Sequence, residues 1–281
     1  ALALTLVVTY RSSGVINFSS GTLALLGAYT YAFLRRGELL LPFPGLPKTV
    51  DLGTELGFVP AAAISMAICA VTGLLIYLLV FRPLRNVPPV GKAVASIGVM
   101  LVLSGLFTMR IGVDGVQTQP ILPVGTWKIA GVNVTSDRVW FAIIIVAISA
   151  ALAAAYRFTR FGLLTRAAAG SEKGAYVSGI KPDRIAAANR MISGAVAATA
   201  GILISPIVPL TPNSFTLLIV PALAAAVVAG FDRILPAVVA GLAIGMVQSD
   251  LTYLAGSWTW LPTSGRGELV VLLLILFVLV A

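Results

Sequence analysis

The chain has 281 residues, 59% of them apolar and only 10% charged, with 27 Gly and 16 Pro. Soluble domains carry roughly 25% charged residues, so composition excludes a water-soluble protein. No His and a single Cys remove most metal sites, Cys–His nucleophiles and any internal disulfide. The excess of 19 Lys and Arg over 10 Asp and Glu reads as the loop bias of a membrane protein, not as a nucleic-acid footprint.

Taken in order, Ala1–Tyr10 is apolar but shorter than the about 20 residues a spanning helix needs. Without an initiator Met, the chain reads as cut at this end. No signal peptide is expected, because the basic n-region and the cleavage pattern are missing. Ser12 to Leu34 is uncharged but interrupted by Asn17-Phe18-Ser19-Ser20-Gly21. Ser19 or Ser20 is placed to cap a helix running through Leu34. Two readings stand for this interruption. One is a break inside the membrane, whose helix start offers N–H groups and a positive dipole end to a polar solute. The other is a plain turn near the membrane surface.

Arg35–Gly57 holds three bases and three acids, and reads as external. Phe58–Phe81 is free of charge over 24 residues and crosses unaided. Arg82, Arg85 and Lys92 follow with no acid in their segment, then the charge-free stretch Ala93–Met109. Arg110–Arg138 is again balanced and external; Val139–Tyr156 is the next span. The segment 157–184 is basic: Arg157, Arg160, Arg166, Lys173, Lys181, Arg184 and the adjoining Arg190 oppose only Glu172 and Asp183. Both basic clusters are expected in the cytoplasm, and two crossings separate them, so the assignments agree.

Within the basic segment, Ala167–Ala169 suit a short helix, interrupted at Gly162, Gly170, Gly174, Gly179 and Pro182. Gly179-Ile180 predicts a helix stop, and Asp183 a fresh start. A short helix here suits docking to a cytoplasmic partner; a basic linker drawn to anionic headgroups is the alternative. Met191–Phe231 is uncharged over 41 residues, too long for one helix. Pro206, Pro209, Pro212 and Asn213 divide it into spans at about Ile185–Ser205 and Phe215–Phe231, joined by an external hairpin. Ser193, Gly194, Ala197, Ala198 and Gly201 are expected to pack closely, as are Ala237, Gly241 and Gly245. Ile234–Leu251 gives a further span, with Asp250 at its exposed end, and Leu269–Ala281 a last, partial one. The expectation is an all-α polytopic fold, one membrane domain over 1–281, with about nine segments of which the first and last are truncated.

No P-loop is present, since Gly91-Lys92 lacks its upstream glycine. No span carries a carboxylate near its centre, which argues against proton coupling. The chain is expected to be a transport subunit, not an enzyme, with any uphill work supplied by a partner. Two other classes stay open: an ion-coupled secondary transporter or channel for a small polar solute, and a non-transporting scaffold.

Four segments carry a resemblance. GVINFSSGTLALLGAY (Gly14–Tyr29) is similar to the Asn-Phe-Ala-His-Gly and Leu-Gly-Ala-Tyr run in permease subunits of branched-chain amino acid ABC importers. FRPLRNVPPVGKAVASIGVMLVLSG (Phe81–Gly105) resembles their Arg-Pro-Leu-Arg loop and Thr-Ile-Gly helix. FGLLTRAAAGSEKGAYVSGI (Phe161–Ile180) resembles their cytoplasmic loop, and VVAGFDRILPAVVAGLAIGMVQS (Val227–Ser249) their glycine-rich segment. The order and spacing agree over nearly the whole chain. The resemblance implies that Gly162, Arg166, Ala167, Ala175, Gly179 and Ile180 contact an ATPase. It also implies that Asn17, Phe18 and Gly21, with Ser19 and Ser20 between them, lie beside the translocation path. Ser20 stands where the family often has His, Phe231-Asp232-Arg233 replaces a Gly-Ser-type turn, and Gln248 stands where Glu is common. Implied partners are cytoplasmic ABC ATPase subunits, a second permease subunit, an extracytoplasmic solute-binding protein and the lipid bilayer of a bacterial inner membrane. ATP and Mg would be bound by the ATPases, and no cofactor by this chain. Some relatives fuse two permeases, so a longer source chain is also implied.

Overall fold

The computed structural model describes residues 2–42, 45, 47–112, 115–118, 121, 125–129, 132–231 and 233–254. Among these, four helical segments are long and apolar enough to cross a bilayer: Phe58–Phe81, Pro89–Ile111, Ser136–Phe158 and Pro182–Ile204. At 1.5 Å per residue each is about 35 Å long, sufficient for the hydrocarbon layer. Phe58–Phe81 is itself a charge-free stretch, the second and third segments enclose Ala93–Met109 and Val139–Tyr156, and the fourth carries Asp183, Arg184 and Arg190 in its first turns. The first is α3 (Phe58–Ile76) prolonged by a π-helical turn, Tyr77–Phe81, in which the Arg82 N–H reaches the Tyr77 carbonyl. The others are α4 (Pro89–Ile111), α5 (Ser136–Phe158) and α8 (Pro182–Ile204).

Shorter helices fill the rest: α1 (Leu2–Ser13), α2 (Ser20–Leu34), α6 (Arg160–Gly170), α7 (Glu172–Val177), α9 (Pro212–Leu217), α10 (Ile219–Val228) and α11 (Ile234–Leu254). The polar loops carry two small antiparallel hairpins, β1 (Glu38–Leu40) with β2 (Thr49–Asp51), and β3 (Thr126–Ile129) with β4 (Val132–Thr135). The helical polytopic fold expected from sequence is the one observed. The last partial segment, Leu269–Ala281, lies outside the described residues, as does Asp232.

The bundle is organised around α2, every residue of which is buried. A helix apolar on all sides belongs inside protein or lipid, and here protein covers it. Small residues allow the approach. A Cβ on Gly201 of α8 would overlap the Ala24 carbonyl, one on Gly194 would overlap the Cys69 carbonyl of α3, and Gly27 sits against Ala198. Ser193, Ala197 and Ala198 of the same face are buried with them. The expected close packing is therefore made by this stripe. On α11, Ala237 is buried and Gly241 faces Ala225 of α10, whereas space is open around Gly245; all three line an apolar cavity of about 390 Å³.

Interactions between loops define the two ends of the bundle. At one, Arg36 donates to the Gln117 carbonyl (3.3 Å), Arg110 to the Leu41 and Pro47 carbonyls (3.3 and 3.2 Å), and the Leu210 N–H to Val116 (3.1 Å). Both charge-balanced loops and the Pro206–Asn213 turn therefore share an end. At the other, Arg85 pairs with Asp183 at 3.3 Å, which joins the two basic segments. The parity read from the charges is the parity of the fold.

Three boundaries differ from expectation. The span expected at Phe215–Phe231 is divided at Leu218 into α9 and α10, with Pro221 just beyond. The helix after Gly179 starts at Pro182, because proline at the first helical position fixes φ and needs no N–H acceptor. Gly162 and Gly174 lie inside α6 and α7 and do not interrupt them. Gly201→Val should cost about 1–3 kcal/mol through overpacking. Gly98→Ala, where nothing lies within 4 Å, should leave the melting temperature unchanged or raise it. Equal thermal stability of both variants in detergent would contradict the α2–α8 contact.

Candidate functional site

Between α1 and α2 the backbone leaves the helical path, and the sequence explains where. Gly14 takes φ +64°, and Asn17 and Ser19 favour local side-chain hydrogen bonds over a continued helix. The Ser19 hydroxyl donates to Asn17 Oδ1 (2.8 Å), the Ser20 hydroxyl to the Asn17 carbonyl (3.0 Å) and the Thr22 hydroxyl to the Ser19 carbonyl (2.9 Å). Ser19 occupies the N-cap position but makes no side-chain cap, contrary to expectation, because its hydroxyl is given to Asn17. Asn17, Ser19, Ser20 and Gly21 are buried, and Phe18 is half-buried. Gly21 lies against the Phe215 carbonyl and Ile219, at the division between α9 and α10.

The depth of the break follows from its neighbours. Leu23 accepts from the Cys69 thiol at 3.5 Å, and Cys69 is in the middle of the Phe58–Phe81 span. The break precedes Leu23 and lies nearer the basic end, where Gly14 lines a cavity with Arg82, Arg85 and Asp183; its buried backbone groups need protein partners. Ser96 of α4 supplies them: its fully buried hydroxyl accepts from the Phe18 N–H (3.2 Å) and lies 3.4 Å from the Ile16 carbonyl. The break is thus packed against protein, with Ser96 two turns inside α4 as its partner.

Ser96 belongs to a ridge that sequence reasoning missed. Lys92, Ser96, Met100, Ser104 and Thr108 recur every four residues, which places them along one inclined row of α4. Below the break, Lys92 lines a cavity of about 240 Å³ at the basic end, shared with Ser13, Gly14 and Arg190. Above it, Met100, Ser104 and Thr108 line an open groove of about 560 Å³ with Thr211, Asn213 and Thr216. A sealed, hydroxyl-rich break thus lies between two partly polar spaces, on a single row of side chains.

The six residues singled out in the basic segment fall on α6, α7 and the turn after them. A Cβ on Gly162 would overlap the backbone of Tyr156, so α6 folds back tightly on α5. Thr159 and Ser171 cap α6 and α7, accepting from the N–H groups of Gly162 (3.3 Å) and Gly174 (3.1 Å). Gly179 (φ +76°) ends α7: its N–H reaches the Tyr176 carbonyl, and the Ile180 N–H reaches Ala175 at 2.9 Å. This left-handed closure favours glycine, and it brings Ala175, Gly179 and Ile180 together. Arg166 and Ala167 are exposed one helix away. Leu163, Tyr176 and Val177 are exposed as well, Val177 to 91%.

Two links tie this foot to the bundle. Asn189 of α8 accepts from the Tyr156 hydroxyl of α5 and donates to Thr165 of α6 at 3.3 Å. Arg85, already paired with Asp183, lies 5.2 Å from the centre of the Tyr176 ring.

A family model described as branched-chain amino acid transport system / permease component matches residues 1–280. The chain belongs to this permease family. It is similar to the high-affinity branched-chain amino acid transport system permease protein LivH of Escherichia coli (strain K12), at 28% identity over 99% of this chain and 88% of that protein. It is also similar to the corresponding Salmonella typhimurium protein (27%, over 99% and 88%) and to a probable LivH of Methanocaldococcus jannaschii (27%, over 91% and 78%). No solved structure matches the chain. A multi-pass membrane permease of this family is what the apolar spans and the relatives together show.

Ser96→Ala would leave the Phe18 N–H without its acceptor in a dry environment. An unsatisfied buried donor costs about 1–3 kcal/mol, so this variant of the permease should melt earlier in detergent, while Ser104→Ala, on the half-exposed part of the ridge, should not. An unchanged melting temperature for Ser96→Ala would show that the break is supported by other groups.

Proposed function

We propose that the chain is the transmembrane permease subunit of an ABC importer that moves branched-chain or related small amino acids inward. The work comes from ATP and Mg bound on cytoplasmic ATPase subunits. A second permease subunit completes the path, an extracytoplasmic solute-binding protein delivers the solute, and the assembly sits in a bacterial plasma membrane. The chain itself catalyses no reaction and forms one membrane domain, with 157–184 as the segment that meets the motor.

One observation carries this reading: the foot formed by α6 and α7 presents Leu163, Tyr176 and Val177 to solvent at the basic end. Exposed apolar side chains among basic ones, outside the apolar spans, suit a protein partner. In this account Gly162, Arg166, Ala167, Ala175, Gly179 and Ile180 shape and present the foot, and movement there passes to the bundle through Asn189. Asn17, Phe18, Ser19, Ser20 and Gly21 form the gate. Alternate access then opens the break first to the hydroxyl-lined groove and afterwards to the basic cavity, with the buried α2 start offering its N–H groups to the passing solute.

Arg166→Glu and Gly179→Glu should abolish ATP-driven leucine uptake in proteoliposomes containing all subunits, while the variants still insert and purify. Normal uptake would remove the foot from the coupling path. Uptake by the chain alone, driven by an ion gradient without ATP, would establish a secondary transporter instead.

A further inference from the structure

Arg190 is a buried cation with an unmet valence. By sequence it adjoins the basic loop, yet it lies two turns into α8 with only 4% of its surface exposed. Its Nη1 is sealed from solvent and has no hydrogen-bond partner among the described residues. Its guanidinium rests on the Phe81 ring at 3.9 Å, a contact that satisfies its face but none of its N–H donors. A buried charge without a counter-charge is costly, and such a group in a cavity calls for an anion.

Arg190 lines the 240 Å³ cavity at the basic end together with three further cations, Arg82, Arg85 and Lys92. The single carboxylate on its wall, Asp183, is already held by Arg85 at 3.3 Å and by the Tyr77 hydroxyl at 3.5 Å. The wall thus keeps a positive excess after that pair is formed. Phe81, Ala168, Ala169 and Ala186 supply an apolar side. The volume is below the roughly 300–1,000 Å³ typical of drug-sized ligands, so it suits a small solute. Ser13 and Gly14, which lead into the break, line the same space.

We propose that this cavity is a solute site on the basic side of the gate, in which Arg190 binds the carboxylate of the transported amino acid. The inference rests on the permease reading and specifies the chemistry that its path recognises. A small side-chain movement turns the sealed, unpartnered Nη1 to the cavity, where it donates a charge-assisted hydrogen bond to the carboxylate; the apolar wall takes the aliphatic side chain, and Arg82 and Lys92 raise the local potential for anions. A positively charged or neutral analogue lacking the carboxylate has no partner there.

The test is equilibrium binding of leucine and leucinamide to the full chain in nanodiscs, with ATP-driven leucine uptake by the complete transporter measured in parallel. Unmodified protein should bind leucine at least about tenfold more tightly than leucinamide, and Arg190→Gln should weaken leucine by about 10–100-fold, the range expected for a charged hydrogen bond. The ligand comparison needs no variant, so it stands even where Arg190→Gln fails to fold. Equal affinity for the two ligands, no leucine binding, or binding only of inorganic phosphate or anionic lipid would overturn the proposal. So would an Arg190→Gln protein that keeps leucine affinity but loses its grip on the ATPase. If uptake by the unmodified transporter persists in those cases, the solute site alone is refuted; if uptake is absent, the permease reading falls with it.

Discussion

Backbone contact between α2 and α8 is the constraint on which the remaining architecture depends. Inside a bilayer, lipid tails are as apolar as leucine, so helices associate through close packing and not through exclusion of water. Gly201 and Ala198 of α8 meet Ala24 and Gly27 of α2, and Gly194 meets Cys69 of α3, each at a separation that leaves no room for a larger residue. This stripe holds α2 in the centre with every residue covered. It also fixes the level at which α2 begins, and therefore the depth of the broken backbone that precedes it.

That break is tolerable because its polar groups are answered from within. Asn17, Ser19 and Ser20 bond to one another, and Ser96 reaches across from α4 to the Phe18 N–H. The same row of α4 continues upward to Ser104 and Thr108 and downward to Lys92, so the break lies between the hydroxyl-lined groove and the cationic cavity. Tyr77, in the π-helical turn ending the first long span, faces that lower cavity; π turns recur at functional positions in helices. The foot hangs from α5 and α8 by the Tyr156–Asn189–Thr165 hydrogen bonds. The proposed coupling would run along this link to the base of α8, whose far half carries Gly201, seated against Ala24 of α2.

Much of this arrangement is legible in the amino-acid sequence. Charge-free runs located the long spans, and the basic and balanced loops gave their parity, because length and loop charge are what a bilayer selects. Gly179-Ile180 marked the end of α7, since a left-handed closure leaves a glycine signature. Other features left no such trace. The complete burial of α2 is invisible to hydropathy, which scores lipid and protein surroundings alike. Ser96 reads as an ordinary small polar residue until Phe18 is brought beside it from 78 positions away. Arg190 belongs by sequence to a basic loop and is buried only because α8 starts at Pro182 and carries it inward. Gly241 and Gly245 have the spacing of a packing motif, but only Gly241 meets a neighbour, Ala225 of α10, for the spacing does not say which partner will meet it.

The central claim is that foot and α8 move as one piece, joined by the amide of Asn189. Its most direct test is the number of ATP molecules consumed per solute imported by the assembled transporter carrying Asn189→Leu, a replacement of similar size that cannot bridge Tyr156 and Thr165. The account predicts that hydrolysis continues while import falls, so that the ratio rises several-fold. An unchanged ratio, with normal expression and assembly, would mean that movement reaches the gate by another route.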